Sequence, residues 1–347
     1  AASVAPLKQI PPASWTDGRA VALIANALGL RAHVLGRLGR DDEAAGVDAD
    51  RQKLLESAAA NLEPGIRLLR ARAALEGALA ERALASGDPK SLSMRLDRLA
   101  EIGGRMKEID AQNSQSFYVA YRSAELAARG AARRDDPDAE KRHLDVAEKA
   151  LSELHARDPA DADSALGLVL LWNKRAAHLR KQGDLTRARD LLLQARNLAE
   201  RVVSGGLGGA PAQLRLALTY MELGSVARER KSFGEARGAY EKAMEIFAAA
   251  GGKAADREAQ LKIANAHDHQ ALVALESGDL DTALEHARRC LAVLSSAQLS
   301  SSQAADVDLQ RTLALSRLAK IRSMRGEAQE AVEAARRSTR LARAAYG

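Results

Sequence analysis

The residues with the most obvious chemical potential are the histidines of "HDHQ", His267 to Gln270, with Asp268 between them. Imidazole nitrogens beside a carboxylate are a metal-ligand set, but helical ligands must be three or four residues apart to share a face. His267 and His269 are two apart and point to different sides of a helix. His267 is expected to pack between neighbouring elements and His269 to face an inner surface. The acidic runs Asp41-Asp42-Glu43 and Asp135-Asp136 read as turn formers and helix starts rather than as an acid–base pair. The glycine-rich "SGGLGGAP", Ser204 to Pro211, has neither a Lys-Ser/Thr pair after it nor a strand before it, so it reads as a linker and not a phosphate loop. Cys290 is the single cysteine, which excludes an internal disulfide and a thiolate metal cage. No nucleophile-elbow, nucleotide-loop or kinase motif is present. The expectation is a chain without catalytic residues, metal or cofactor.

The elements that carry these residues are helical. Of the 347 residues 46% are hydrophobic and only 3% aromatic, with Ala and Leu dominant, a composition suited to close-packed helices rather than sheet. Gly39, Gly87, Gly183, Gly278 and Gly326 each separate two long helical patterns, at intervals of 48, 96, 95 and 48 residues. The long intervals are double steps, whose midpoints Asp135 and Lys231 lie in polar turns. Seven units of about 48 residues result. Asp88-Pro89, Asp136-Pro137 and Asp158-Pro159 read as Asp N-caps followed by Pro at the first helical position.

Within a unit, small residues let two antiparallel helices approach: Ala176 against Ala188 and Ala195, then Gly224 against Ala236 and Ala243. Trp172, Leu179 and Leu192, and next Tyr220, Leu223 and Tyr240, fill the space between neighbouring pairs. The expected fold is all-α: about fourteen helices in seven antiparallel pairs, forming one right-handed α-solenoid over residues 15–347. Residues 1–14, with "IPPAS" at their end, read as an extended linker. The longest apolar run, Ala20 to Leu30, is too short to span a bilayer. The start Ala1-Ala2-Ser3, without Met, reads as that of a processed product or an excised fragment.

The pattern Trp172…Ala176…Leu179…Gly183-Asp184-Leu185…Ala188…Leu192…Ala195, and Tyr220…Leu223-Gly224…Phe233…Ala236…Tyr240…Ala243, resembles the tetratricopeptide repeat. The resemblance is good over units four to seven and fair in one and two. Unit three departs from it, because "AARRDDPDAE" expands the turn and replaces Gly-Asp. The long period resembles arrays that follow the kinase domain of bacterial membrane-anchored serine/threonine kinases. That resemblance implies a sensor or scaffold that binds a protein or peptide, outside the cytoplasm, joined to the membrane only through a segment beyond this sequence. A cytoplasmic scaffold, a nucleic-acid-binding array and a small-molecule receptor are the alternatives. The resemblance also implies lining positions on the first helices: Tyr121, Asn173, Lys174, Met221, Ser225, Asp268, His269, Arg317 and Lys320. A polar groove of this kind suits a peptide, with Asn173 serving a backbone and Arg317 and Lys320 an acidic partner. These side chains are expected to be exposed and dispensable for folding. Lys and Asn do not recur at the register of a C-terminal carboxylate clamp. The net charge of +6 invites nucleic acid, yet half the excess lies between Ile321 and Gly347, where six Arg meet three Glu. Cations at a terminal helix end are favoured by the helix dipole, so no nucleic acid is expected.

Overall fold

The computed structural model describes residues 18–63, 65–250, 257–296 and 304–346. The stretch read as a linker, 1–14, lies outside them, as do Pro6, Pro11, Pro12 and Pro64. Fourteen α-helices and no strand occur among the described residues. They fall into two compact units, residues 1–158 and 159–347.

The first unit contains α1 (Gly18–Arg37), α2 (Asp41–Asn61), α3 (Ile66–Ser86), α4 (Pro89–Ile109), α5 (Ser114–Arg133) and α6 (Pro137–Arg157). The second contains α7 (Ala162–Lys181), α8 (Leu185–Ser204), α9 (Gly209–Glu229), α10 (Phe233–Ala250), α11 (Arg257–Glu276), α12 (Leu280–Ser296), α13 (Ala304–Met324) and α14 (Ala328–Tyr346). Within each unit, consecutive helices pair. The first helix of a pair packs on the first helix of the next, as α1 on α3, α7 on α9 and α11 on α13.

One turn is made seven times. Five first helices are followed within two residues by a glycine with positive φ: Gly39, Gly87, Gly183, Gly278 and Gly326, at +70 to +83°. At the two interpolated midpoints, Asp135 and Lys231 take the same left-handed backbone, at 55° and 60°. The next N–H then reaches back five residues in every copy, for example from Asp184 to the Leu179 carbonyl (2.9 Å) and from Ser232 to that of Ala227 (2.9 Å). Asp follows Gly because its carboxylate caps the second helix. Asp184 accepts from the Arg187 amide, Asp279 from that of Thr282, and Asp88 from those of Lys90 and Ser91.

Asp88-Pro89 and Asp136-Pro137 cap α4 and α6 as expected. Asp158-Pro159 does not cap a helix. Asp158 ends α6, and Asp161 caps α7 by accepting from Asp163 and Ser164. The chain needs those three extra residues to turn, so the competing Asp takes the cap. "SGGLGGAP" joins α8 to α9, with Gly206 and Gly208 at positive φ ahead of α9 and Gly209, also at positive φ, as its first residue.

The small residues do what their spacing demands. Ala176, Ala188 and Ala195 are fully buried, as are Ala236 and Ala243. A Cβ on Gly224 would stand 2.6 Å from the Tyr240 ring, so α9 and α10 meet there as closely as a missing side chain permits. Val226 of α9 joins Ala176, Ala188 and Leu192 in one apolar cluster, the covering of one pair by the next.

Candidate functional site

The direct packing of successive first helices changes what the expected lining residues do. Tyr121, Asn173, Met221 and Ser225 are each only 8% exposed. Lys174, Asp268, His269 and Arg317 are half-buried, and Lys320 alone is exposed. The expectation of an open, dispensable set is therefore corrected: in the second unit these positions form a seam between α7, α9, α11 and α13. Asn173 Nδ2 donates to Thr219 Oγ1 across α7 and α9 at 2.9 Å. Ser225 bonds Met221 O and the Tyr240 hydroxyl, both at 3.1 Å. Arg317 is ion-paired with Asp268. Only α13, at the end of the described unit, leaves the stripe open, through Leu309, Leu313, Lys320 and Met324.

Charge runs along the seam as a ladder between equivalent positions of successive repeats. Arg180 donates to Glu229 at 2.6 Å, and Arg228 donates to Glu276 at 2.7 Å. These pairs are 49 and 48 residues apart, and Arg317 and Asp268 again 49. The first unit has its own version, with Arg129 on Glu81 at 2.8 Å and Arg122 between Glu81 and Glu125, both at 3.0 Å. Tyr121 belongs to this face and lies 6.1 Å from the exposed Tyr118 ring.

Eleven buried side-chain polar atoms among the described residues lack a hydrogen bond, and eight of them lie on α7, α9, α11 and α13. Six cluster on the central seam: Asn173 Oδ1, Arg180 Nε, Glu222 Oε2, Arg228 Nε, Asp268 Oδ1 and His269 Nδ1. Asp268 Oδ1 faces the Arg317 guanidinium, so its need is met electrostatically. Glu222 is the poorly served carboxylate. Its nearest cation, Arg180, stands 3.9 Å away and is already committed to Glu229. Burial pushes the Glu222 carboxyl above its ordinary range, with Arg180 opposing and Glu229 adding to the rise.

The histidines separate into two environments. His267 meets His286 of α12, with Nδ1 to Nδ1 3.0 Å and ring centroids 5.3 Å apart. His269 stacks on Tyr240 at 5.2 Å, with ring planes 12° apart. Burial is the main reason that His267 and His269 both titrate at about 4. His267 thus packs against α12, and His269 lies on the seam. Among the described residues no group of three or more His, Cys, Asp and Glu converges to hold a metal ion. Cys290 is buried, which pushes its thiol up to about 12 and leaves it a protonated core group. No helix among the described residues is long and apolar enough to cross a membrane.

Sequence reasoning missed Arg180, Glu222, Arg228 and Glu276. The signal was present as opposite charges one repeat apart, give or take a residue.

No protein-family model matches the sequence, and no curated protein matches it. Solved structures match in fold. The apo form of RapI aligns with a TM-score of 0.60 at 12% identity, over 93% of this chain and 78% of its own. BtubC (BKLC) from P. vanneervenii gives 0.56 at 19%, over 77% and 92%. The S. pombe nuclear import adaptor Nro1 gives 0.53 at 14%, over 84% and 99%. The fold is a tetratricopeptide-like helical repeat. At these identities the likeness concerns the repeat architecture, and the seam must be read from its own residues.

Proposed function

We propose that this chain is a non-catalytic module that binds a protein or peptide segment along the first-helix seam of its second unit. The observation that carries this is the concentration of buried, unbonded polar atoms on α7, α9, α11 and α13. Where such an atom has no charged partner it costs about 1–3 kcal/mol, and an opening of the seam that admits the amides and carbonyls of a segment relieves several at once. An adaptor among the similar structures agrees with that role. The finer reading rests on the resemblance to long-period arrays that follow the kinase domain of bacterial membrane-anchored serine/threonine kinases: a sensor region C-terminal to such a kinase, held outside the cytoplasm. The test of binding is selection of segments from a random peptide library by the full chain, followed by competition with Asn173→Asp and Arg228→Gln variants. Loss of selected peptides from both variants supports the seam; unchanged binding removes it.

A second reading rests on α14. Arg336, Arg337, Arg340 and Arg343 are exposed, and none forms an ion pair among the described residues. Four phosphate contacts give a log-affinity slope of about −3.6 against log salt on duplex DNA. A slope near zero dismisses that reading.

A further inference from the structure

Each pair of the second unit receives the next pair on one face: α8 packs on α9, α10 on α11 and α12 on α13. At the last of these junctions Leu261 of α11 joins a cluster with Val307 and Ala314 of α13. Leu284 of α12 joins another with Leu318 and Ile321 of α13. The equivalent positions 48 residues later are Leu309 of α13 and Val332 of α14. The face that takes up a following first helix elsewhere is open here. Leu309, Leu313, Met324 and Val332 are 41–54% exposed. They are four of the five exposed large apolar side chains among the described residues of the second unit.

The charge on this face has one sign. At 3.6 residues per turn, Arg336 and Arg343 lie about 40° and 20° around α14 from Val332. Glu330 and Glu333, at about 160° and 100°, are turned away from it. On α13, Lys320 is seven residues after Leu313 and shares its stripe. Arg336, Arg343 and Lys320 are exposed and form no ion pair among the described residues.

We propose that the α13–α14 face is a docking site for a helix of another protein, one with an apolar stripe and acidic flanks. The repeat fixes the shape of the occupant, because the same face of each preceding pair in this unit holds a helix. The unpaired cations fix its charge. The α1 helix of a second copy fits the shape and not the charge. Arg19, four residues before its exposed Leu23, and Arg37, seven after its exposed Leu30, would set like charge against Arg336 and Arg343. The site lies outside the buried seam and does not depend on it as a binding face.

The test titrates the full chain into three fluorescent, end-blocked peptides of the length of α13. One has a leucine stripe at helical spacing with glutamate flanks, one is its scrambled isomer, and one carries lysine in place of glutamate. The acidic striped peptide should bind most tightly, and its isomer at least about ten-fold more weakly, the scale of one well-packed anchor residue. Leu313→Asp and Val332→Asp should each weaken the striped peptide by a similar factor with an unchanged circular dichroism spectrum, since both side chains are exposed. Leu30→Asp on α1 should leave it unaltered. Arg336→Glu with Arg343→Glu should release the acidic peptide and admit the lysine peptide. Equal binding of the scrambled isomer would reduce the face to bare charge and overturn the proposal, as would unaffected Leu313→Asp and Val332→Asp variants. Displacement of the peptide by duplex DNA that binds more tightly would assign the arginines to phosphate and overturn it too. A dimer that dissociates in Leu30→Asp would seat a second copy on the face and remove the foreign helix.

Discussion

Gly224→Ala is the sharpest probe of the packing that builds the seam. By helix propensity alone, Ala in the interior of α9 gains about 1 kcal/mol over Gly. Against this, the new methyl would lie 2.6–2.8 Å from three carbons of the Tyr240 ring. That ring is fully buried, bonded through its hydroxyl to Ser225 and stacked on His269, so it has no room to swing away. Overpacking of this kind costs about 1–3 kcal/mol, and the pinned ring places this case in the upper half. The expected outcome is a net loss of about 1–2 kcal/mol in urea unfolding followed by circular dichroism and tryptophan fluorescence. Gly238→Ala is the internal control. It lies on α10 with nothing within 4 Å of its new methyl, and should stabilise by about 0.5–1 kcal/mol. In a Tyr240→Leu background the cost of Gly224→Ala should largely vanish. A Gly224→Ala protein as stable as Gly238→Ala, or a cost unchanged without Tyr240, refutes the close approach of α9 and α10.

Three further outcomes are expected. Lys231→Gly should stabilise by about 1 kcal/mol in the same urea titration, because Lys231 holds φ at 60° where the equivalent turns use Gly; a loss would mean that its side chain does more than tolerate the turn. Asp48 and Arg51 are buried together between α2 and its neighbours, with Arg82 at 2.9 Å from Asp48. Asp48→Ala should cost about 3–5 kcal/mol by stranding the Arg51 charge, and Asp48→Leu with Arg51→Met should recover most of it; no recovery would show that the charges themselves are required. His267 and His269 are held neutral in the fold down to about 4, against an ordinary value of 6.5. The unfolded chain therefore binds more protons in that interval, so the contribution of these two residues is full above 6.5 and is lost as pH falls toward 4. Replacing both by Gln should flatten the fall in melting temperature across that window, and an unchanged fall would assign it to other groups.

Much of the fold was legible because the turn is a local event. A Gly ruler placed Asp135 and Lys231 at turns that lack Gly, and both have the left-handed backbone that the ruler demanded. The small residues of each pair were legible for the same reason, since their spacing states which face meets the partner helix. Two things were not. Asp158-Pro159 carries the same letters as Asp88-Pro89, and which of two nearby Asp residues caps α7 depends on how the chain arrives there. The seam was misjudged because periodicity identifies the face turned to the helix's own partner, not the distance between first helices of successive repeats. That distance decides whether Asn173, Met221 and Ser225 stand out from the first-helix face or are buried in it, and here they are buried.

The most direct measurement of the central claim is hydrogen–deuterium exchange of the full chain with and without a library-selected segment. Binding to the seam should slow exchange in 173–181, 221–229 and 268–276, on α7, α9 and α11, while α8, α10 and α12 change little. Protection confined to the second helices of the pairs, or to α14 alone, would contradict it.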